Sequence, residues 1–359
     1  MDNLYIHFPF CRNKCSYCAL HSRGGAHSSL LEDYAKKIAV ALERAELGIL
    51  KTVYFGGGSP ALVPLRRILK ALEDHISRDG FGEWTVELHP LDVSGALLEE
   101  LRDAGVNRIS MGLQSVDDDI LCSMKRGYDF STAEKAFSQI KKVFDNAGID
   151  LIVGYPGEER ALSPRHARLK NWGLRHCSAY SLILEEHSLL GREYRQGKLQ
   201  LVDDDTLMDR VHIISQFLQS IGLQRYEISS YAAPGCECRH NLAVWSGEDY
   251  YGLGEGAHGR IGLLRTRNLM DFDFSRQISS SSPLMPAIEK VDADFDKKER
   301  FLFQLRTNRG IDETQLSSQN AAVVNDRISK GLLYRKGTER LCLTERGMEV
   351  CDSIMAELL

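Results

Sequence analysis

The stretch Leu4-Tyr5-Ile6-His7-Phe8-Pro9-Phe10-Cys11-Arg12-Asn13-Lys14-Cys15-Ser16-Tyr17-Cys18 opens with a short β-rich run at residues 4–7 and passes directly into three cysteines spaced C-x3-C-x2-C. A loop at that place can fold three thiolates around one inorganic centre. Arg12 and Lys14 stand between the cysteines, and positive neighbours lower thiol pKa and offset thiolate charge. A structural zinc site is the plainer alternative, with His7 or His21 completing a tetrahedron. The spacing disfavours it, because zinc knuckles usually come as two separated cysteine pairs and none of the other cysteines repeats such a pair.

Outward from this stretch, β-rich runs alternate with amphipathic helical ones over the first 230 residues, which predicts parallel strands joined by right-handed crossovers. Strands are expected at 4–7, 52–55, 84–88, 106–112, 150–153 and 177–182, with a further short one at 225–229. The first helix places Leu30, Tyr34, Ile38, Ala41, Leu42 and Ala45 on one face. Six β/α units are too few for a closed eight-unit barrel, so the expected fold is α/β, a partial (β/α)6 barrel with its site at the carboxyl ends of the strands. Residues 265–294 turn polar, with a serine run at 279–282, and read as a linker. Beyond them the order helix, helix, strand-turn-strand, helix resembles a small winged helix. The reading divides the chain into a barrel at 1–230, an intervening region at 231–290 and a C-terminal unit at 291–359.

Composition narrows the function. The 359 residues are 43% hydrophobic and 26% charged, and 45 basic against 50 acidic residues leave a net charge of −5. That is a globular composition with no global attraction for nucleic acid, and the C-terminal unit mixes acids with bases, so no nucleic-acid partner is expected. No apolar run is long enough for a transmembrane segment. Nine cysteines, an odd count in a chain of this size with no N-terminal signal, argue against a disulfide scaffold and for a reducing, cytoplasmic compartment. Cys122, Cys177, Cys342 and Cys351 fall in ordinary helix or strand and read as packing residues.

The cysteine motif, with Tyr17 before its last cysteine, resembles the radical SAM superfamily. That resemblance implies a 4Fe-4S cluster held by Cys11, Cys15 and Cys18, whose fourth iron binds S-adenosylmethionine and which takes its electrons from a donor. Gly56-Gly57-Gly58-Ser59-Pro60 after strand two resembles the superfamily's glycine-rich motif. Four further stretches, at 5–11, 105–115, 150–156 and 226–229, resemble a narrower group, the oxygen-independent coproporphyrinogen III oxidases and the HemW-type haem chaperones. By this resemblance Tyr5, Tyr17, Gly57, Gly58, Ser59, Glu87, Gln114, Arg126 and Asp150 surround S-adenosylmethionine, and Arg126 suits its carboxylate. His89 departs from the asparagine usual before the proline.

Two features separate the branches. The oxidases carry a further cysteine two positions past the third ligand and a long N-terminal arm; here that position is Leu20, and Cys11 lies close to Met1. Arg239-His240-Asn241-Leu242-Ala243-Val244-Trp245 resembles the H-N-x-x-Y-W motif of the chaperone branch, with Val244 in place of the tyrosine. His240 is then the candidate haem ligand and Trp245 a flat apolar face for the macrocycle. Cys236 and Cys238 could supply a thiolate or simply pack, and His258 is a secondary candidate. The resemblance implies a haem chaperone that passes haem to acceptor proteins; the alternative is a coproporphyrinogen III oxidase-type enzyme of porphyrin biosynthesis.

Overall fold

In the computed structural model, which describes residues 2–45, 47–76, 82–268, 287–317, 320–337 and 339–358, the chain lays down six strands in sequence order. They are β1 (Asn3–Phe8), β2 (Thr52–Gly57), β3 (Glu83–Leu88), β4 (Arg108–Gln114), β5 (Ala147–Val153) and β6 (His176–Ser181). Each pairs in parallel with the next, the winding of a barrel. The sheet is longer than six strands: β7 (Gln224–Arg225) and β8 (Ser230–Ala232) add antiparallel beyond β6, and β9 (Tyr251–Leu253) adds parallel outside β1. The order β9-β1-β2-β3-β4-β5-β6-β8-β7 leaves two unjoined edges, so the barrel is partial, as expected. Of residues 225–229, expected as one strand, only Arg225 is in a strand, as the end of β7, and 226–229 turn between β7 and β8. Residues 231–253, assigned from sequence to the intervening region, supply most of β8, next to the edge strand β7, and the whole of the opposite edge strand β9.

Alternation along each strand builds two different faces. Leu4, Ile6 and Phe8, Val53 and Phe55, Trp84, Val86 and Leu88, then Ile109, Met111 and Leu113 are buried in the main apolar core. That core is covered by α1 (Ser28–Arg44), α2 (Arg66–Leu72), α3 (Gly95–Ala104), α4 (Asp118–Ser123) and α5 (Phe130–Val143). Ser94 caps α3 by accepting the Leu97 N–H, and Gly105 closes it at φ +104°. The concave face is polar instead. Register sets Thr52 beside Glu83, Thr85 beside Arg108, Glu87 beside Ser110 and Asp150 beside Ser178. Parallel sheets are normally apolar on both faces; a polar lumen marks where ligands are handled.

After α6 (Leu189–Arg195), α7 (Asp204–Ser220) and α8 (Arg239–Trp245), a small antiparallel sheet forms from β10 (His258–Ile261), β11 (Leu264–Arg267) and β12 (Ala287–Lys290). Parts of the expected linker are therefore strand, while its serine run at 279–282 lies outside the described residues. Arg260 on β10 pairs with Asp296 and Glu299 of α9 (Ala293–Leu305) at 2.5 and 2.9 Å, tying this sheet to the C-terminal unit. That unit continues through β13 (Ile311–Asp312), α10 (Ala321–Ser329), the hairpin β14 (Leu333–Lys336) and β15 (Arg340–Leu343), and two short helices. Its own core includes Leu305, Ile311, Val324, Leu341 and Ile354. No described helix is long and apolar enough to cross a membrane.

Candidate cofactor site and adjoining cavity

The cysteine loop is fastened on both sides. Phe10 and Cys11 pair in parallel with Arg23 and Gly24. Within the loop Ser16 donates to the Ser123 carbonyl at 3.1 Å and shares a 2.7 Å bond with the Tyr155 hydroxyl, while its backbone N–H reaches the Met124 carbonyl. The C-terminal end of α4 and Tyr155 just after β5 thus fix the second cysteine's neighbourhood. All three thiols remain partly exposed. Burial pushes the Cys11 and Cys18 thiols up, so thiolates here need nearby positive charge. Arg126 supplies it: its Nη1 lies 3.2 Å from Cys15 Sγ, and its Nη2 donates to the Gly112 carbonyl at 2.7 Å.

The fit to a cluster follows from the donors. Among the described residues no three His, Cys, Asp or Glu side chains converge on a single metal ion. His7, named for a zinc alternative, has Nδ1 bonded to the Tyr5 hydroxyl and Nε2 to the His21 carbonyl. Three partly exposed thiols spread along an anchored loop, with a guanidinium against one of them, suit a multi-iron centre better than one ion.

The glycine-rich turn does two jobs. Gly58 N–H donates to the Phe8 carbonyl, and a Cβ at Gly58 would lie 2.3 Å from the Phe10 carbonyl oxygen, so the turn can lie against the cysteine loop only without a side chain. Gly57, at φ +105°, donates its N–H to Glu87 at 3.2 Å. The Tyr54 hydroxyl donates to the other Glu87 oxygen at 2.7 Å. Burial, with Asp150 nearby, nonetheless pushes Glu87 up to about 7; burial raises Asp150 too. Two deep carboxyls therefore favour a cationic or donor-rich ligand in this lumen. Gln114 sits at φ +69° beside a register shift in the β4–β5 pairing, local strain of the kind that gathers at functional sites.

Not every sequence candidate faces open space. Ser59 is 4% exposed and donates its hydroxyl to Asp92, which also accepts from Arg12 at 2.5 Å. Tyr17 lies 3.5 Å from Arg126. His89 rests edge-on against Tyr128, and burial with Arg126 close by holds it down at about 3, uncharged. Sequence reasoning missed Asp92, Tyr128, Arg108, Glu83 and Thr52; for Thr52, Glu83 and Arg108 the available signal was polar residues at every second position of β2, β3 and β4, whereas Asp92 and Tyr128 lie outside the strands.

His240 lies at the opposite end of the strands. Glu83, the first residue of β3, accepts the backbone N–H groups of Arg239 and His240 at 3.0 and 3.1 Å, a carboxylate on the positive end of α8. Beneath it lies the buried cation Arg108. His240 itself is 4% exposed, with Nδ1 2.8 Å from the Thr52 hydroxyl, and burial holds it at about 3, a neutral imidazole. Cys236 and Cys238 are buried, and burial pushes the Cys238 thiol up to about 12 beside Glu83; it stays a thiol and packs. Trp245, expected to face a macrocycle, instead packs edge-on against Phe303 at 5.7 Å, under Arg306. Cys122, expected to pack, is exposed.

A cavity of about 540 Å³ joins the two ends: Leu20 and His21 of the cysteine loop, Tyr5, Glu87 and Tyr180 of the lumen, and His240 and Val244 of α8 all line it. Of the nine S-adenosylmethionine candidates only Tyr5 and Glu87 do so. Leu20 is 54% exposed, an apolar ridge at the mouth.

Residues 5–161 match the Radical SAM superfamily. The chain is 31% identical over 368 residues to the protein named heme chaperone HemW of Mycobacterium tuberculosis (strain H37Rv), covering 99% of this chain and 94% of that one. It is 30% identical over 387 residues to the HemW of Bacillus subtilis (strain 168), covering all of both. Among solved structures, the coproporphyrinogen III oxidase HemN of Escherichia coli superposes with a TM-score of 0.78 over 99% of this chain and 89% of that one, at 18% identity, a likeness of fold. Residues, sheet and relatives agree, and the chain belongs to the radical SAM superfamily, in its HemW-type branch.

Proposed function

We propose that the protein is a cytoplasmic haem chaperone that binds haem in the cavity between the cysteine loop and α8 and passes it to acceptor proteins. Cys11, Cys15 and Cys18 would hold a 4Fe-4S cluster charged by an electron donor. Tyr5, Tyr17, Gly57, Gly58, Ser59, Glu87, Gln114, Arg126 and Asp150 would surround S-adenosylmethionine, which such a cluster can cleave reductively. The chain's own residues bind and orient. Arg126 offsets thiolate charge, Glu87 and Asp150 offer acceptors, and His240 offers a neutral nitrogen at the cavity floor. The observation that carries the reading is the shared cavity, in which Leu20 stands where the oxidase branch resemblance has a cysteine and His240 lies opposite.

Anaerobic reconstitution followed by haem titration tests it. A saturable Soret band that is lost in His240→Ala is expected. An unchanged Soret spectrum in the wild-type chain would sink the chaperone reading, and vinyl-bearing product from coproporphyrinogen III would favour the oxidase.

A further inference from the structure

His240 is not simply buried; its two ring nitrogens have different surroundings. Nδ1 meets the Thr52 hydroxyl at 2.8 Å, while Nε2 carries no hydrogen bond among the described residues and is absent from the sealed, unpartnered polar atoms, so it opens on the cavity that His240 lines. Which nitrogen holds the proton follows from the groups behind Thr52. Asn3 Nδ2 lies 3.0 Å from the Asp249 carbonyl and 3.4 Å from Glu248 Oε2, both acceptors, which fixes the amide with its oxygen toward Thr52. That oxygen can only accept, so the Thr52 hydroxyl spends its one proton on Asn3 Oδ1 at 2.9 Å. At His240 the Thr52 oxygen is then the acceptor, and Nδ1 must be the donor. The opposite tautomer would turn the Thr52 proton toward Nδ1 and leave Asn3 Oδ1 without it, inside a buried network where an unmade bond is costly.

We infer that Thr52 and Asn3 are positioning residues that lock His240 as the Nδ1–H tautomer and present the Nε2 lone pair to the iron of a metalloporphyrin in the cavity. This rests on the haem reading above. Ligation then forms one Fe–N coordinate bond from a lone pair already free. No proton is displaced and no electron is transferred. The Nδ1–H bond to Thr52 also orients the ring and raises the basicity of Nε2, as partners behind a metal-bound histidine do. The chain 248/249–Asn3–Thr52–His240 links β9's approach, β1, β2 and α8, so the orientation of the ligand is set by the same register that builds the sheet.

The test uses the full chain with its cluster reconstituted and ferrous haem as probe, reading the iron–histidine stretching band by resonance Raman and the haem dissociation constant by titration. Thr52→Val, which keeps the shape and removes the acceptor, is expected to lower that stretching frequency and weaken haem binding by roughly tenfold or more. Thr52→Ser restores both. Asn3→Leu, which frees the Thr52 proton to turn on Nδ1, gives the same direction of change and serves where Thr52→Val fails to fold. A wild-type band and affinity in Thr52→Val, alongside loss of haem in His240→Ala, would overturn the positioning role and leave the haem reading standing. Haem bound equally by His240→Ala would overturn the ligand role of His240 and the positioning role with it while leaving haem binding standing, and an unchanged Soret spectrum in the wild-type chain would overturn the haem reading itself.

Discussion

The loop that carries Cys11, Cys15 and Cys18 and the helix that carries His240 border one cavity from opposite ends of the strands, yet they are held by different means. The loop is anchored through backbone and through Ser16, and its thiols stay partly exposed. The helix is sunk in a closed network: Glu83 on its N-terminus, Thr52 on the histidine, Arg108 below. The difference separates two demands. In the proposed reading, thiols that would accept a large inorganic group stand open on a fixed frame, whereas a single nitrogen that would have to point one way is fixed by satisfying everything around it. On the proposed reading the floor of this barrel carries a ligand, although in eight-unit barrels that end usually serves stability.

Breaking the open end should cost the most. Cys15→Ala is expected to abolish cluster formation, measured as iron and sulfide per chain, while thermal stability of the metal-free chain stays near wild type. At the closed end the order reverses. Glu83→Gln removes the charge that accepts the Arg239 and His240 N–H groups and that acts on buried Arg108 through space, and is expected to cost about 1.5–3 kcal/mol in urea unfolding; a loss under about 1 kcal/mol would show that the helix is not held there. Gly58→Ala tests the turn between the two, because its Cβ meets the Phe10 carbonyl. A loss of about 1–3 kcal/mol is expected from the forced backbone shift, together with poorer cluster retention.

The smallest effect is a pH dependence. In the folded, cofactor-free chain Glu87 is pushed up to about 7, from an ordinary 4.5, first by burial and then by Asp150. The folded state therefore keeps a proton that the unfolded state releases. Its contribution to stability is fully present below the ordinary value and is lost as pH rises through about 7. Glu87→Gln should flatten the stability profile between those limits, and an unchanged slope would show that Glu87 is ionised throughout.

Much of this architecture is legible in the sequence, and for identifiable reasons. Apolar alternation in β1 to β5 and the cysteine spacing are local patterns, so strand order and the loop could be read directly. The edges could not: β9 is three residues long and joins β1 from 247 residues away in sequence, as in Leu4 beside Tyr251, a pairing no local period encodes. The linker reading missed the strands at its described ends, because polarity alone does not distinguish a strand such as β11 from irregular chain. Ser59 and Trp245 illustrate a second limit. Both sit in motifs, and both turn out to be committed elsewhere, to Asp92 and to Phe303. The signal that could have found Thr52 and Glu83 was the second periodicity of the strands, polar residues on the face away from the helices.

On the proposed reading the cysteine loop and His240 serve one cavity. Power saturation of the reduced cluster's electron paramagnetic resonance, with and without high-spin ferrous haem, measures whether the two groups share it. Faster relaxation of the cluster on haem binding, absent in His240→Ala, is the expected result. A cluster signal that saturates identically while haem is bound would contradict the account.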